Sequence, residues 1–235
     1  IVPTGERGGV LGKHSTDWEV SSGHSYLRLP SETTARHPVV RGLEGTNLVA
    51  FGGTLEHVTI TDAAAQVVAT FVPPFPIYPP EFSWMRQPST DIPAIVVREH
   101  PAGGRMVYLA ADIDRVYGAR RLPDHAHLLA NAARWAAGHV PLQVQGPGYL
   151  DCHLYAQGER RILHLVNLSG ANEWPAYVEE HLPVGPLHVG IPWQGPVPCV
   201  RLCVGQQILE PALEDGWVWV TLERVVDHEL IVFEP

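Results

Sequence analysis

Two continuous apolar runs, "AIVV" at 94–97 and "MVYLAA" at 106–111, dominate the middle of the chain. Short runs without alternation predict strands covered on both faces. Only residues 98–105, with Pro101, Gly103 and Gly104 among them, lie between the two. A parallel crossover needs about a dozen residues, so the pair predicts an antiparallel hairpin. Apolar runs at 48–51 and 67–72, and "HVTI" at 57–60, predict further strands. The stretch "VPPFPIYPPEFSW" that follows is too rich in proline for a sheet centre or a helix, and predicts a long aromatic loop.

The segment "LPDHAHLLANAARWAAG", 122–138, predicts a helix. Pro123 and Asp124 suit a first turn, where a missing N–H costs nothing and a carboxylate meets the positive end of the dipole. Leu129, Ala132, Ala133 and Ala136 recur at helical spacing and predict the packed face. Gly138 supplies a left-handed C-terminal cap, with Pro141 soon after. Beyond Gly138 the pattern turns to alternation. A hairpin is predicted from 149–156 and 161–169 about a turn at Gln157 and Gly158, and strands recur at 187–191, 198–204, 217–222 and 229–233. That spacing predicts a small all-β antiparallel sandwich over 141–235, after a first domain over 1–140.

Composition changes the picture in a few places. A hydrophobic content of 45% permits a proper core, and a net charge of −9 gives no nucleic-acid partner the clustered cations it needs. Lys13 is the only lysine, a bias without a functional account. Cys152, Cys199 and Cys203 leave an odd thiol, so no disulfide framework is predicted. Cys199 and Cys203 share one strand parity and read as small buried hydrophobes. No apolar run approaches the ~20 residues that span a bilayer, so no membrane partner and a cytoplasmic location are expected. The opening Ile1 and Val2 read as a strand end, and a longer parent chain is expected before them.

Candidate chemistry is mostly negative. "GERGGVLGKH" imitates a phosphate-binding loop, but Arg7 stands where its first glycine belongs and His14 where its hydroxyl belongs. His125 and His127, two apart on a helix, point roughly 200° apart and cannot share a metal. No metal or cofactor is expected, since the cysteine spacings fit no zinc site and H-E-x-x-H is missing. No G-x-S-x-G elbow occurs. Asn167, Leu168 and Ser169 form a glycosylation sequon by pattern alone. Asp112 and Asp114 would share a face if their strand continued, with side chains about 7 Å apart, within the range of a glycosidase acid–base pair. Such carboxylates normally stand on separate elements. Two on one strand beside Arg115 read instead as a structural polar corner, and no catalytic residue is assigned.

The run "YPPEFSWMRQPSTDIPAIVVREHPAGGRMVYLAADIDRVYGARRLPDHAHLLANAARWAAG" resembles the second half of a glutamine-amidotransferase-like domain. That domain, the β-galactosidase trimerisation domain, follows the catalytic barrel in family 42-type β-galactosidases and related hypothetical glycoside hydrolases. The residues that carry the resemblance are Gly104 and Arg105, then Asp112, Asp114 and Arg115, and then Asn131 with Trp135. The "TG" of 4–5 also fits a strand of that family. "RRILHLVNLSG" and "HELIVFE" are similar to its small C-terminal β domain.

The resemblance implies an α/β domain, flavodoxin-like or amidotransferase-like and lacking its first strands, followed by the β-sandwich. It brings neither the barrel with its catalytic carboxylates nor an elbow cysteine, so no activity of the chain's own is expected. The expected work is that of an accessory or oligomerisation region, with a second copy or the parent's barrel as partner. Tyr78, Glu81, Trp84 and Arg86, with Phe75 and Phe82, are the candidates for contact with a carbohydrate substrate, because aromatic faces stack on sugar C–H surfaces. The alternative is a free-standing carbohydrate-binding or protein-interaction module. It requires exposed, coplanar tryptophans among Trp174, Trp193, Trp217 and Trp219, of which the last two share one strand face.

Overall fold

The computed structural model describes residues 2–3, 25–30, 37–76, 78–170 and 180–235. The "TG" of 4–5, the phosphate-loop-like stretch with Lys13 and His14, and Trp174 lie outside the described residues. The chain divides into two compact units, Ile1–His139 and Val140–Pro235.

The first unit contains β1 (Val2–Pro3), β2 (Tyr26–Arg28), β3 (Leu48–Ala50), β4 (Val58–Thr59), β5 (Gln66–Val72), β6 (Pro93–Glu99) and β7 (Arg105–Leu109), then helices α1 (Ile113–Arg120) and α2 (Pro123–Ala137). β1 pairs with β4, and the remaining five strands form one sheet in the order β3-β2-β5-β6-β7. Every pair is antiparallel. A flavodoxin-like domain carries a parallel sheet, and the described strands do not form one. The chain reverses between β6 and β7 through residues 100–104, too short a link for a crossover.

"AIVV" is buried throughout as expected, from Ala94 to Val97. "MVYLAA" is not. β7 is the sheet's edge strand, Met106 is 43% exposed, and only Ala110 and Ala111 at its far end are buried. An edge strand has one neighbour, so its apolar run cannot be covered as a central one is.

α2 runs from Leu122 at its N-cap to Gly138, whose φ of 71° supplies the left-handed C-cap. Its buried face is His125, Leu128, Ala132 and Trp135, whereas Ala133 is exposed. The stripe is turned from the alanine-based expectation because Leu128 and Trp135 bring far more apolar area than any alanine. α1 was not anticipated. Its core contacts are only Ile113 and Val116, too few to mark a period.

The second unit follows the predicted plan. It contains β8 (Gln143–Gln145), β9 (Leu150–Gln157), β10 (Arg160–Asn167), β11 (Leu187–Pro192), β12 (Cys199–Leu202), β13 (Gln207–Leu209), β14 (Ala212–Glu214), β15 (Trp217–Leu222) and β16 (His228–Glu234). Two antiparallel sheets form, ordered β13-β12-β16-β10-β9 and β14-β15-β11-β8. One core joins Leu163, Leu165, Val200, Ile231 and Phe233 of the first sheet to Leu187, Val189, Ile191, Val218 and Val220 of the second. Alternation along each strand aims these residues inward, as a sandwich requires. Cys199 and Cys203 do share a side, but it is the outer one, and both are exposed. Val200 and Leu202 take the core parity and leave the thiols in solvent.

Candidate functional site

The polar corner at 112–115 is built by the loop that follows β3. Asp112 N–H donates to the Thr54 carbonyl at 3.0 Å, and Leu55 bridges to Ala111. The Asp112 carboxylate closes the same loop. Its Oδ1 accepts the Thr54 N–H at 2.7 Å, and its Oδ2 accepts from Arg115 Nε at 2.6 Å. Arg115 Nη2 also donates to Thr54 Oγ1 at 3.3 Å. Gly53 is needed here, because a Cβ would stand 2.3 Å from Asp112 Oδ1. Asp114 lies apart, exposed in the first turn of α1, where a carboxylate faces the positive helix end. The two acids therefore do not share a strand face, since the strand stops at Leu109 and the chain turns into α1. The geometry is that of a strand-to-helix corner rather than an acid–base pair.

The residues that carried the family resemblance are structural ties as well. Arg105 lies over the Trp135 ring at 5.4 Å and donates to the Trp135 carbonyl at 3.3 Å. Asn131 donates to the Arg41 carbonyl at 2.7 Å, which pins α2 to the 3₁₀ turn Pro38–Val40.

His37 caps that turn. Its Nδ1 accepts the Val39 N–H at 3.3 Å, and its ring meets Trp135 edge-on at 4.5 Å. Burial lowers its pKa, with Arg105 adding to the effect and Glu99 opposing it. A depressed histidine stays neutral in the fold while the unfolded chain takes up a proton. Its contribution to stability is therefore intact above the unfolded pKa of about 6.5 and is lost as pH falls from there toward the folded value. The urea midpoint of the wild type is expected to drop more between pH 7.5 and 5.5 than that of His37→Asn, whose amide keeps the cap without a charge. Parallel drops would discount this role for His37.

The aromatic loop stands out in solvent. Tyr78 is 63% and Trp84 56% exposed, and Phe82 and Glu81 are exposed beside them. A 3₁₀ turn at Pro80–Phe82 and a cis bond between Tyr78 and Pro79 shape the loop. Arg86 lies over the Trp84 ring at 5.7 Å, and Phe75 stacks on Tyr26 at 6.2 Å. The loop's return is held by Arg28 Nε on the Pro88 carbonyl and Thr90 Oγ1 on the Phe71 carbonyl. Tyr78, Glu81, Trp84 and Arg86 thus lie together on one exposed loop with an apolar and a charged component.

Among the described residues, the tryptophans of the second unit are Trp193, Trp217 and Trp219. Trp217 and Trp219 share the outer face of β15, with ring centroids 5.8 Å apart and planes 25° from parallel. His188 meets Trp219 at 4.6 Å and 5°. That distance is too short for rings side by side in one plane, so His188 lies on a face of Trp219. Gly190 permits the arrangement, since a Cβ there would come within 2.6 Å of the Trp219 ring. One face of Trp219 is therefore covered by His188. Trp193 is buried, with its Nε1–H on the Pro196 carbonyl at 2.8 Å.

Two buried polar side chains, Asn167 of the sequon pattern and Glu229, prove to be clamps. Asn167 Nδ2 donates to the carbonyls of Leu182 at 2.7 Å and Val226 at 2.6 Å, and its Oδ1 accepts the Ser169 N–H. The sequon asparagine is thus committed to the fold. The Glu229 carboxylate accepts the N–H groups of Val204, Gly205 and Leu230, each at 2.9 Å. Burial, helped by the Asp151 charge, pushes the Cys152 thiol up, the reverse of what a nucleophile needs. Among the described residues no group of three or more His, Cys, Asp or Glu side chains is placed to hold a metal ion. No described helix is long and apolar enough to cross a membrane.

The sequence matches no protein-family model and no curated protein. Solved structures similar to it include a fucosidase and several β-galactosidases. α-L-Fucosidase isoenzyme 2 from Paenibacillus thiaminolyticus aligns over 90% of this chain and 32% of its own length, with TM-score 0.64 and 18% identity. A β-galactosidase from Bacillus circulans sp. alkalophilus aligns over 90% of this chain and 22% of its own, at 0.47 and 11%. The β-galactosidase from Rahnella sp. R3 aligns over 90% and 22%, at 0.44 and 13%. This chain therefore spans about a third of the length of the fucosidase whose fold it shares.

Proposed function

We propose that this chain is a non-catalytic accessory region of a glycoside hydrolase, which forms contacts with neighbouring subunits or with the parent's catalytic barrel. The observation that carries the reading is the shared fold with a fucosidase across 90% of this chain but only 32% of that enzyme. The corner at Asp112 supports it, because that carboxylate is held by Thr54 and Arg115. The amidotransferase-like, trimerising identity of the first unit belongs to this proposal and rests on the sequence resemblance.

The loop of Tyr78, Glu81, Trp84 and Arg86 is the part of the first unit that meets a sugar or the wall of a neighbouring active site. Exposed aromatic rings bind apolar sugar faces, and Glu81 and Arg86 supply hydrogen bonds to hydroxyls. A ring contact is worth ~0.5–1.5 kcal/mol, or roughly three- to tenfold in affinity. In the full-length parent, Trp84→Ala is expected to raise KM for its glycoside by that factor and leave kcat unchanged. An unaltered KM would remove the loop from the substrate path.

A further inference from the structure

The outer face of the sheet that holds β9, β10 and β16 carries a row of histidines. His153 on β9 is directly opposite His164 on β10, and His228 on β16 sits diagonally beyond it. His164 Nδ1 and His228 Nε2 are 3.3 Å apart, with ring centroids at 5.5 Å. Tyr155 closes one side, its ring edge-on to His164 at 5.6 Å. His153 holds Asp151 at 3.0 Å through Nε2. His164 and His228 are partly buried and His153 is exposed, so solvent reaches the row.

The ring spacing sets the two nitrogens nearly head-on, the geometry of one N–H···N bond between neutral imidazoles. The same nitrogen separation is the edge of a coordination tetrahedron. With metal–nitrogen bonds of about 2.0–2.1 Å, two tetrahedral ligands lie about 3.3–3.4 Å apart. Each ring has to turn off the line between the nitrogens for both lone pairs to meet at a common apex. The bridging proton moves to the outer nitrogen of its own ring, so both facing nitrogens become ligands without a change in net protonation.

We propose that His164 and His228 form a two-histidine site for a divalent ion of the zinc class, which ties β10 to β16 on the sandwich's outer face. Neutral imidazole is a favoured ligand for zinc, nickel and copper and a poor one for magnesium or calcium. Water completes the shell, and His153 stays with Asp151. The site is independent of the aromatic loop and of the accessory reading.

Isothermal titration of the full chain with zinc chloride at pH 7.5, paired with urea melts in zinc and in EDTA, tests the proposal. The expected result is one zinc per chain and a higher urea midpoint in zinc, since binding to the folded state alone stabilises it. Both effects are lost in His164→Gln and in His228→Gln, and kept in His188→Gln and His139→Gln. If either variant fails to fold, histidine C2–H resonances of the wild type decide, and those of His164 and His228 must shift first with zinc. Absence of zinc binding, binding undiminished in both variants, or other histidines shifting first would overturn the site.

Discussion

Replacing Glu229 by alanine is expected to cost roughly 3 kcal/mol, because each hydrogen bond to a buried charged group is worth ~1.5–3 kcal/mol and water recovers part of the loss at an exposed turn. Glu229 stands at an inward parity on β16, where Ile231 and Phe233 fill the core. It belongs there only because Val204, Gly205 and its neighbour Leu230 aim three N–H groups at it. The carboxylate thereby fixes the turn between β12 and β13. Glu229→Gln keeps one acceptor oxygen but sets an amide N–H₂ against a backbone N–H, so it falls between the wild type and alanine. Urea midpoints at pH 7 measure both. A loss for Glu229→Ala below about 0.5 kcal/mol, the scale of ordinary surface substitutions, would show that the turn holds itself.

Asn167→Ala is expected to cost about 1–3 kcal/mol, since two part-buried carbonyls lose their donor and a small cavity is left. The side chain joins the end of β10 to the segments at Leu182 and Val226. Asn167→Asp is expected to be worse than alanine, because it sets a carboxylate against carbonyl oxygens where the amide donated. Thermal melts of the three proteins at pH 7.5 check the order. If Asn167→Asp were the more stable of the two variants, the donated bonds would not be what holds this joint.

These clamps mark the limit of what the sequence disclosed. Period-2 alternation in "RILHLVN" and "WVWV" set the sandwich strands and their faces, because in a half-buried strand the pattern and the packing are the same fact. The ends of α2, Pro123 in the first turn and Gly138 at the C-cap, were legible for a similar local reason. Partners distant in the chain were not. Thr54 and Gly53 lie more than fifty residues before Asp112, so the sequence predicts a polar corner at 112–115 without the loop that Asp112 holds. The edge position of β7 and the rotated face of α2 were hidden likewise, since both depend on which neighbours arrive. The aromatic loop was legible as a loop from its prolines, and its exposure is a tertiary result. His164 and His228 belong to separate strands with no shared motif, and only the register of β10 with β16 joins them.

The most direct measurement of the central claim is turnover by the isolated 235-residue chain, assayed against a panel of aryl glycosides beside Asp112→Asn and Asp114→Asn. The account predicts no release above the blank for any of the three, with Asp112→Asn lowering the melting temperature and Asp114→Asn leaving it near the wild type. Turnover by the wild type that either substitution abolishes would contradict it, and would make this corner an active site.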